Sequence, residues 1–302
     1  MLQLLPLFLS LSLALAVQTP LATQISRICF SRGDFIYLKD VKTGLVKRLA
    51  KGSYPSLSPD GQTLAFSTDN LASGTAKSIS REIKLMDLQS NKLTSFDTLK
   101  SFLCYGAIWS PDGSKLAFSV RKGERWEVGV MDAASRDWHI ITDKVPGSIG
   151  VSLNSWTGDS KSILCQDLDN IYQVGLDGSQ IRKIPAVDVV DDLSYISSLT
   201  KFSLSSDGRF LLFDTQDLPD EPRPPTVWIY DLEKRSRLRL TPKTLAGYHP
   251  QWLPDGDEIV FTGTAWTRAR KGAPGIYLIR KDGTHLELLV ANAEEGSVSM
   301  AR

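Results

Sequence analysis

One short phrase recurs along the chain and constrains its fold more than any other feature. An apolar residue or Trp is followed by a polar turn containing Asp, and the turn leads into an apolar run that ends near a Phe. The turn aspartates stand at 60, 112, 159, 207 and 255, so successive copies are 52, 47, 48 and 48 residues apart. A near-constant period in this range is typical of small sheets that bury their faces against neighbouring copies.

The residues of each turn suit a tight hairpin. Pro59 presets φ to about −65° at the first central position, and Gly61 supplies a positive φ. Asp60 is expected to bond its local backbone. The third copy, 158–160, which belongs to the fourth predicted blade, lacks both Pro and the final Gly, and we expect its geometry to differ. The candidate structural turn residues are Asp60, Gly61, Asp112, Gly113, Asp159, Asp207, Gly208, Asp255 and Gly256.

The segments between the turns predict four strands in each unit. Short runs rich in Val, Ile, Leu and Phe flank each turn, and a second hairpin with a more polar returning strand follows. Four antiparallel strands in ~45 residues are typical of a propeller blade. Six second hairpins accompany five turns, and the segment 295–299 resembles 54–58. We therefore predict an all-β, six-bladed propeller over 17–302, in which the C-terminal strand completes blade one and closes the ring.

The N-terminal segment predicts export. Residues 2–17 are almost entirely apolar, and Ala14-Leu15-Ala16 fits a small-residue cleavage site. We predict a signal peptide at 1–16, a periplasmic or otherwise exported protein, and no stable membrane insertion after cleavage. The alternative is an uncleaved membrane anchor. Because 35 basic residues nearly balance 34 acidic ones, nucleic acid is not an expected partner.

The repeat resembles those of a known family. Its elements are Trp109-Ser110-Pro111-Asp112-Gly113, the strand Leu116-Ala117-Phe118-Ser119 and an Arg-Leu-Thr end at 239–241. They are similar to the WD40-like propeller repeats of TolB-like proteins, periplasmic components of the Tol-Pal system. The resemblance covers the chain after the predicted signal peptide, without the α/β domain that precedes the propeller in TolB. It implies a propeller that binds an envelope protein or peptide; related repeats also occur in propeller peptidases.

The strand order predicts which face carries function. Tight turns occupy one face, and the longest insertions, at 68–81, 185–198, 214–226 and 262–275, occupy the other. Two neighbouring insertions are acidic, Asp214 being in the second, and the last one is basic and aromatic. The candidate partner-binding residues are Asp188, Asp191, Asp192, Asp217, Asp220, Glu221, Trp266, Arg268, Arg270 and Lys271. Alternatively, these are solvated loop charges, or the carboxylates hold calcium.

Motifs for catalysis are sparse. The chain has no Gly-x-Ser-x-Gly elbow and no phosphate-binding Gly loop, and its three histidines, His139, His249 and His285, are far apart in sequence. Its three cysteines have no disulfide or zinc spacing. We therefore predict a monomeric, non-enzymatic binding module without catalytic residues, cofactor or metal. The alternative is a hydrolase or lyase that acts on a small ligand or glycan at the channel mouth.

Overall fold

The computed structural model describes residues 25–71, 79–96, 99, 103–145, 150–190, 194–217, 224–267 and 270–300. These residues form six antiparallel sheets arranged as the blades of a propeller, and each blade has four main strands. The predicted six-bladed, all-β fold is therefore confirmed. The predicted signal peptide at 1–16 lies outside the described residues. No helix in the described ranges is long and apolar enough to cross a membrane.

The blades follow one another along the chain. Blade 1 contains β1 (Ile25–Arg32), β2 (Phe35–Asp40) and β3 (Val46–Lys51). Blade 2 contains β4 (Ser53–Leu57), β5 (Thr63–Leu71), β6 (Ile79–Asp87) and β7 (Leu93–Ser95). Blade 3 contains β8 (Cys104–Trp109), β9 (Lys115–Lys122), β10 (Arg125–Asp132) and β11 (Trp138–Ile140). Blade 4 contains β12 (Ser152–Trp156), β13 (Ser162–Gln166), β14 (Asn170–Gly175) and β15 (Gln180–Pro185).

The remaining strands complete the ring. Blade 5 contains β17 (Phe202–Leu204), β18 (Phe210–Asp217), β19 (Thr226–Asp231) and β20 (Ser236–Arg239), and the short β16 (Ser194–Tyr195) pairs with the end of β18. Blade 6 contains β21 (Leu245–Trp252), β22 (Glu258–Thr267), β23 (Arg270–Arg280) and β24 (Glu287–Ala291). The last strand, β25 (Glu294–Met300), pairs antiparallel with β1. The C-terminal strand therefore supplies the innermost strand of blade 1 and closes the ring, as predicted.

The hydrophobic core lies between blades. Val128 of blade 3 and Leu153 and Trp156 of blade 4 are buried in one shared cluster. The indole N–H of Trp156 also donates to the carbonyl of Ile108 in blade 3 at 3.1 Å. Because each sheet buries its faces against its neighbours, stability depends on an unbroken ring.

The turn aspartates accept local hydrogen bonds. In blade 2, Asp60 Oδ1 accepts from the Ser58 hydroxyl at 2.6 Å and from the Gln62 backbone N–H at 3.0 Å. The turn of blade 4 adopts the same arrangement, since Asp159 Oδ1 accepts from the Thr157 hydroxyl and Ser160 takes the positive φ, 61°, that glycine has elsewhere. The expectation of a different geometry in this copy is therefore wrong. A short polar side chain can adopt the left-handed conformation at a modest cost in energy.

Substitution of Ser160 should measure the free-energy cost of its left-handed backbone conformation. Its hydroxyl accepts the backbone N–H of Asp112 in the neighbouring turn at 3.1 Å, so Ser160→Gly and Ser160→Ala both lose that bond. Only glycine also relieves the left-handed strain. We expect the Gly variant to be about 1 kcal/mol more stable than the Ala variant in urea unfolding. Equal stabilities would show that the turn imposes no strain on Ser160.

In their described residues, two of the four predicted insertions are strand. Strands β5 and β6 extend their pairing as far as Leu71 and Ile79, and β22 and β23 pair as far as Thr267 and Arg270. The described parts of these two insertions, 68–71, 79–81, 262–267 and 270–275, are therefore strand rather than loop. They prolong the second and third strands of blades 2 and 6, because backbone pairing satisfies their polar groups.

Candidate functional site

One face of the ring carries the second-to-third strand hairpins and the connections between blades, and we call it the long-loop face. The innermost strands, β25, β4, β8, β12, β17 and β21, surround the central channel. Each of them begins at the long-loop face, so their first residues surround the mouth of the channel there. The side chains around this channel mouth form the candidate site.

Some predicted partner-binding residues lie on this face. Trp266 is half-buried near the end of β22, and it stands opposite Lys271 of β23. Its backbone N–H donates to the carbonyl of Thr244 at 2.8 Å. Asp188 is exposed in a short 3-10 turn at Ala186–Asp188. The structure thus places Trp266 and Lys271 on one hairpin of blade 6, and Asp188 between blades 4 and 5.

The other predicted residues are placed less fully. Arg270 lies in β23, and Asp217 lies in β18 opposite Ser194. The predicted residues outside the described ranges are Asp191, Asp192, Asp220, Glu221 and Arg268. A role of the acidic and basic segments in partner binding stays a prediction.

A ring of buried polar residues lies just inside the channel mouth. It takes one residue from the second strand of each blade, which in blades 2 to 6 stands seven positions after the turn aspartate. Its members are Ser31, Ser67, Ser119, Gln166, Asp214 and Thr262, all of them buried. The Ser67 hydroxyl accepts the backbone N–H of Gly106 in the next blade at 2.9 Å. The Thr262 hydroxyl accepts that of Glu295 at 3.1 Å. Through these two hydrogen bonds, the ring joins neighbouring blades where their innermost strands begin.

Asp214 is the ionisable member of this ring. The sequence placed it in an acidic loop, but the structure places it in β18, where only 1% of its surface is exposed. Its Oδ1 accepts the backbone N–H of Lys201 at 2.8 Å, and its Oδ2 is buried as well. Burial raises the pKa of Asp214 to about 7, although backbone N–H groups and the charge of Lys201 partly oppose this.

Two more ionisable side chains stand beside Asp214. The Lys201 ammonium donates to the carbonyl of Leu153 in blade 4 at 2.9 Å, and burial lowers the pKa of Lys201 although the carboxylates of Asp214 and Glu295 oppose it. Burial, followed by the charge of Lys201, lowers the pKa of His249 to about 4. The Asp214 carboxyl therefore titrates near neutral pH, where the imidazole of His249 is neutral.

Three residues at the channel mouth have a left-handed backbone conformation. Tyr54, His249 and Glu295 occupy corresponding positions of β4, β21 and β25, with φ of 53°, 50° and 52°. The corresponding residue of blade 3 is Gly106, with φ 66°. Glycine takes this conformation without strain, whereas other residues do so at a cost of about 1 kcal/mol or more. Strain of this kind is concentrated at functional sites, so these side chains are candidates for ligand contact.

Glu295 connects blades 1 and 2. Its Oε2 accepts the Ser31 hydroxyl of blade 1 and the backbone N–H of Tyr54 in blade 2, each at 2.9 Å. Burial, followed by the charge of Glu295, raises the pKa of the Tyr54 phenol. The Tyr54 ring therefore lies within the electrostatic reach of Glu295.

An aromatic cluster continues the site from blade 2 into blade 3. The ring centroids of Tyr54 and Tyr105 are 5.5 Å apart, and Trp126 meets Tyr105 edge-on at 5.1 Å. The guanidinium of Arg81 lies over the Tyr105 ring at 5.2 Å and pairs with Asp69 at 3.0 Å. The aromatic rings and Arg81 are half-buried, so part of each side chain faces solvent. We call Tyr54, Tyr105, Trp126 and Arg81 the aromatic–arginine cluster.

The arrangement suits binding through charge and aromatic contact. Within the described ranges, no three His, Cys, Asp or Glu side chains lie close enough together to hold a metal ion. The three cysteines are buried, and burial raises the pKa of Cys104 to about 11, which makes its thiol a poor nucleophile. Rings of Tyr and Trp beside Arg are the side chains that most often anchor protein interfaces.

The site residues that the sequence analysis missed stand at fixed repeat positions. Tyr54, Lys201 and His249 lie six residues before their turn aspartates, and Asp214 lies seven after. An alignment of the repeats by these aspartates would have shown charged residues in strands that are otherwise apolar or hydroxylic. A charged residue at a repeat position that is apolar or hydroxylic in the other blades is the signal that could have identified these site residues.

Comparisons with known proteins establish the fold. Neither a protein-family model nor a curated protein sequence matches the chain. Among solved structures, TolB from Acinetobacter baumannii has a TM-score of 0.62 and 19% identity, over 91% of this chain and 66% of that one. A putative TolB from Agrobacterium tumefaciens has a TM-score of 0.61 and 17% identity, over 92% of this chain and 99% of that one.

An enzyme shares the same architecture. Oligogalacturonate lyase from Vibrio parahaemolyticus has a TM-score of 0.52 and 13% identity, over 84% of this chain and 74% of that one. The propeller is therefore similar in fold to that of TolB, and this fold also carries catalysis in other proteins.

Proposed function

We propose that this protein is an exported, non-enzymatic propeller that binds a protein or peptide partner in the cell envelope, in a TolB-like, Tol-Pal-related role. The partner binds the long-loop face at the channel mouth. The aromatic–arginine cluster carries this proposal, because it presents three half-buried rings and a stacked guanidinium on two adjacent blades. Such rigid, amphipathic side chains contribute most of the binding energy in many protein interfaces.

Capture of partners from envelope extract tests the proposal. We expect the immobilised protein to retain a specific envelope protein, and Arg81→Ala to reduce capture about tenfold, as truncation of an interface anchor does. Arg237→Ala is a matched control, since Arg237 lies over the Trp228 ring at 5.3 Å in the outer half of blade 5. Equal loss of capture in both variants, or no loss in either, would contradict the proposed surface.

The charged segments around the mouth extend the same proposal. The basic residues of the β22–β23 hairpin, Arg268, Arg270 and Lys271, would contact the partner beside Trp266. Reversal of all three to Glu should then weaken capture of the same protein. Undiminished capture would exclude this hairpin from the interface and leave the aromatic–arginine cluster as the contact.

A hydrolase or lyase is the second candidate function. The observation that favours it is the group of Lys201, Asp214 and His249, whose pKa values are displaced by burial at the channel mouth. Ester, lactone and glycan substrates should be screened with and without chelator. Turnover that is abolished by His249→Gln, or by chelator, would favour the enzyme over the binding module.

A further inference from the structure

Charges around the channel mouth are unevenly paired. The Asp69 carboxylate pairs with Arg81, and the buried Glu127 carboxylate pairs with Arg125, each at 3.0 Å. Each of these acidic groups thus has a cation of its own. Lys201 of blade 5, by contrast, lies within electrostatic reach of both Asp214 and Glu295.

Glu295 keeps an excess negative charge in this arrangement. Its Oε2 accepts hydrogen bonds from two neutral donors, the Ser31 hydroxyl and the Tyr54 backbone N–H. The neighbouring imidazole of His249 is neutral at pH 8, and Asp214 is ionised there. Glu295 therefore shares Lys201 with Asp214 and receives hydrogen bonds from neutral donors, an arrangement that favours one further positive charge beside it.

Aromatic surface adjoins this carboxylate. Tyr54 is next to Glu295 around the mouth, and its ring is 5.5 Å from that of Tyr105. The face of an aromatic ring attracts cations, so a carboxylate beside two rings favours an ammonium or guanidinium group. Arg81 over Tyr105 already makes one such contact within the chain.

We propose that the channel mouth binds a cationic side chain of the partner, an Arg or Lys, between the Glu295 carboxylate and the rings of Tyr54 and Tyr105. This inference rests on the proposed function and specifies the chemistry of the partner at that site. It also accounts for the strained backbone of Tyr54 and Glu295, since glycine at either position would relieve the strain but provide no contact.

Small cations test the inference without knowledge of the partner. N-acetylarginine amide is titrated at about pH 8 into the protein, with N-acetylcitrulline amide as the uncharged analogue of the same shape, and binding is followed by NMR. We expect Glu295→Gln to weaken binding of the arginine probe about tenfold, as loss of a charge-assisted contact does. Gln retains an oxygen that can accept the bonds from Ser31 and Tyr54, so the fold should survive.

A control variant lies one residue away. Glu294 is exposed, and Glu294→Gln makes the same change of charge one residue away from Glu295. It should alter the Kd of the arginine probe by no more than about twofold, because exposed charges act weakly at a distance. Tyr54→Gly keeps the left-handed backbone and should weaken binding severalfold through loss of the ring. Equal affinity for the arginine and citrulline probes, or equal effects of the two Gln variants, would overturn the inference.

The two proposals fail in different ways. If Arg81→Ala abolishes partner capture but Glu295→Gln leaves it intact, the partner-binding function stands and the cation site is wrong. If the arginine probe binds in a Glu295-dependent way but no envelope protein is captured, the cation site stands and the partner-binding function is wrong.

Discussion

Deletion of residues 294–302 is expected to lower the melting temperature by roughly 10 °C or to cause aggregation, since a loss of several kcal/mol shifts the melting temperature of a protein of this size by that amount. Strand β25 pairs with β1, where Val298 stands opposite Ile28. Ile28 and Phe30 are fully buried in the cluster that Val298 packs against. The deletion would expose this cluster and open the ring.

The same strand also holds blade 2 in place. The backbone N–H of Leu57 donates to the Ser297 hydroxyl at 3.0 Å, and that of Tyr54 donates to Glu295. Without β25, these part-buried donors of β4 would lose their acceptors to water, and each lost hydrogen bond costs about 0.5–1.5 kcal/mol. The loss should therefore spread beyond blade 1.

Complementation separates ring closure from a general effect of truncation. A synthetic peptide of residues 293–302, added in excess to the truncated protein, should restore most of the melting temperature by pairing with β1. A scrambled peptide is the control. A truncated protein that melts within one or two degrees of the full chain would contradict the role of β25 in stability.

The pH dependence of stability should change in opposite directions when Asp214 and His249 are substituted. Burial raises the pKa of Asp214 from 3.8 to about 7, so the folded state binds its proton more tightly than the unfolded state does. Ionisation of Asp214 therefore lowers the free energy of unfolding of the protein as the pH rises from about 4 to 7. Burial lowers the pKa of His249 from 6.5 to about 4. Protonation of His249 therefore lowers the free energy of unfolding of the protein as the pH falls from about 6.5 to 4. In the wild-type protein the two effects largely offset each other between about pH 4 and 6.5.

Single substitutions should reveal each effect. The free energy of unfolding of Asp214→Asn, taken relative to that of the wild-type protein, should be roughly 3 kcal/mol higher at pH 8 than at pH 5. The relative free energy of unfolding of His249→Gln should change in the opposite direction and be roughly 2 kcal/mol higher at pH 5 than at pH 8. Urea unfolding at the two pH values measures both differences. Asp188→Asn, at an exposed carboxylate, is the control. If the difference for Asp214→Asn does not depend on pH, the carboxyl is not held in a buried, desolvated state.

Local sequence chemistry was sufficient to predict the blades. The turn phrase specifies a hairpin through its own Pro, Asp and Gly residues, and the apolar runs beside it specify strands covered on both faces. The closure by 294–300 followed from counting hairpins against turns. It could be predicted because each blade needs an innermost strand, and the C-terminal strand was the segment left to supply it.

The candidate site was predicted less well, for a physical reason. Asp214 looked like a loop residue, because a charged residue at the end of an apolar run normally marks the surface. In the structure β18 continues past it, and the carboxylate replaces a hydroxyl in the buried ring. The geometry of the turn in blade 4 was predicted wrongly for the converse reason, since Ser160 adopts the glycine conformation and keeps the turn intact. The neighbouring blades decide both outcomes.

The sequence by itself determined the type of fold, the number of blades and the face on which functional residues were to be sought, because each depends on chemistry repeated locally in every unit. The tertiary structure alone decided which side chains meet at the channel mouth. Tyr54, Lys201, His249 and Glu295 belong to four blades and come together when the ring closes. Their pKa values and their charge balance follow from burial and proximity, which arise from the closed ring rather than from any one repeat.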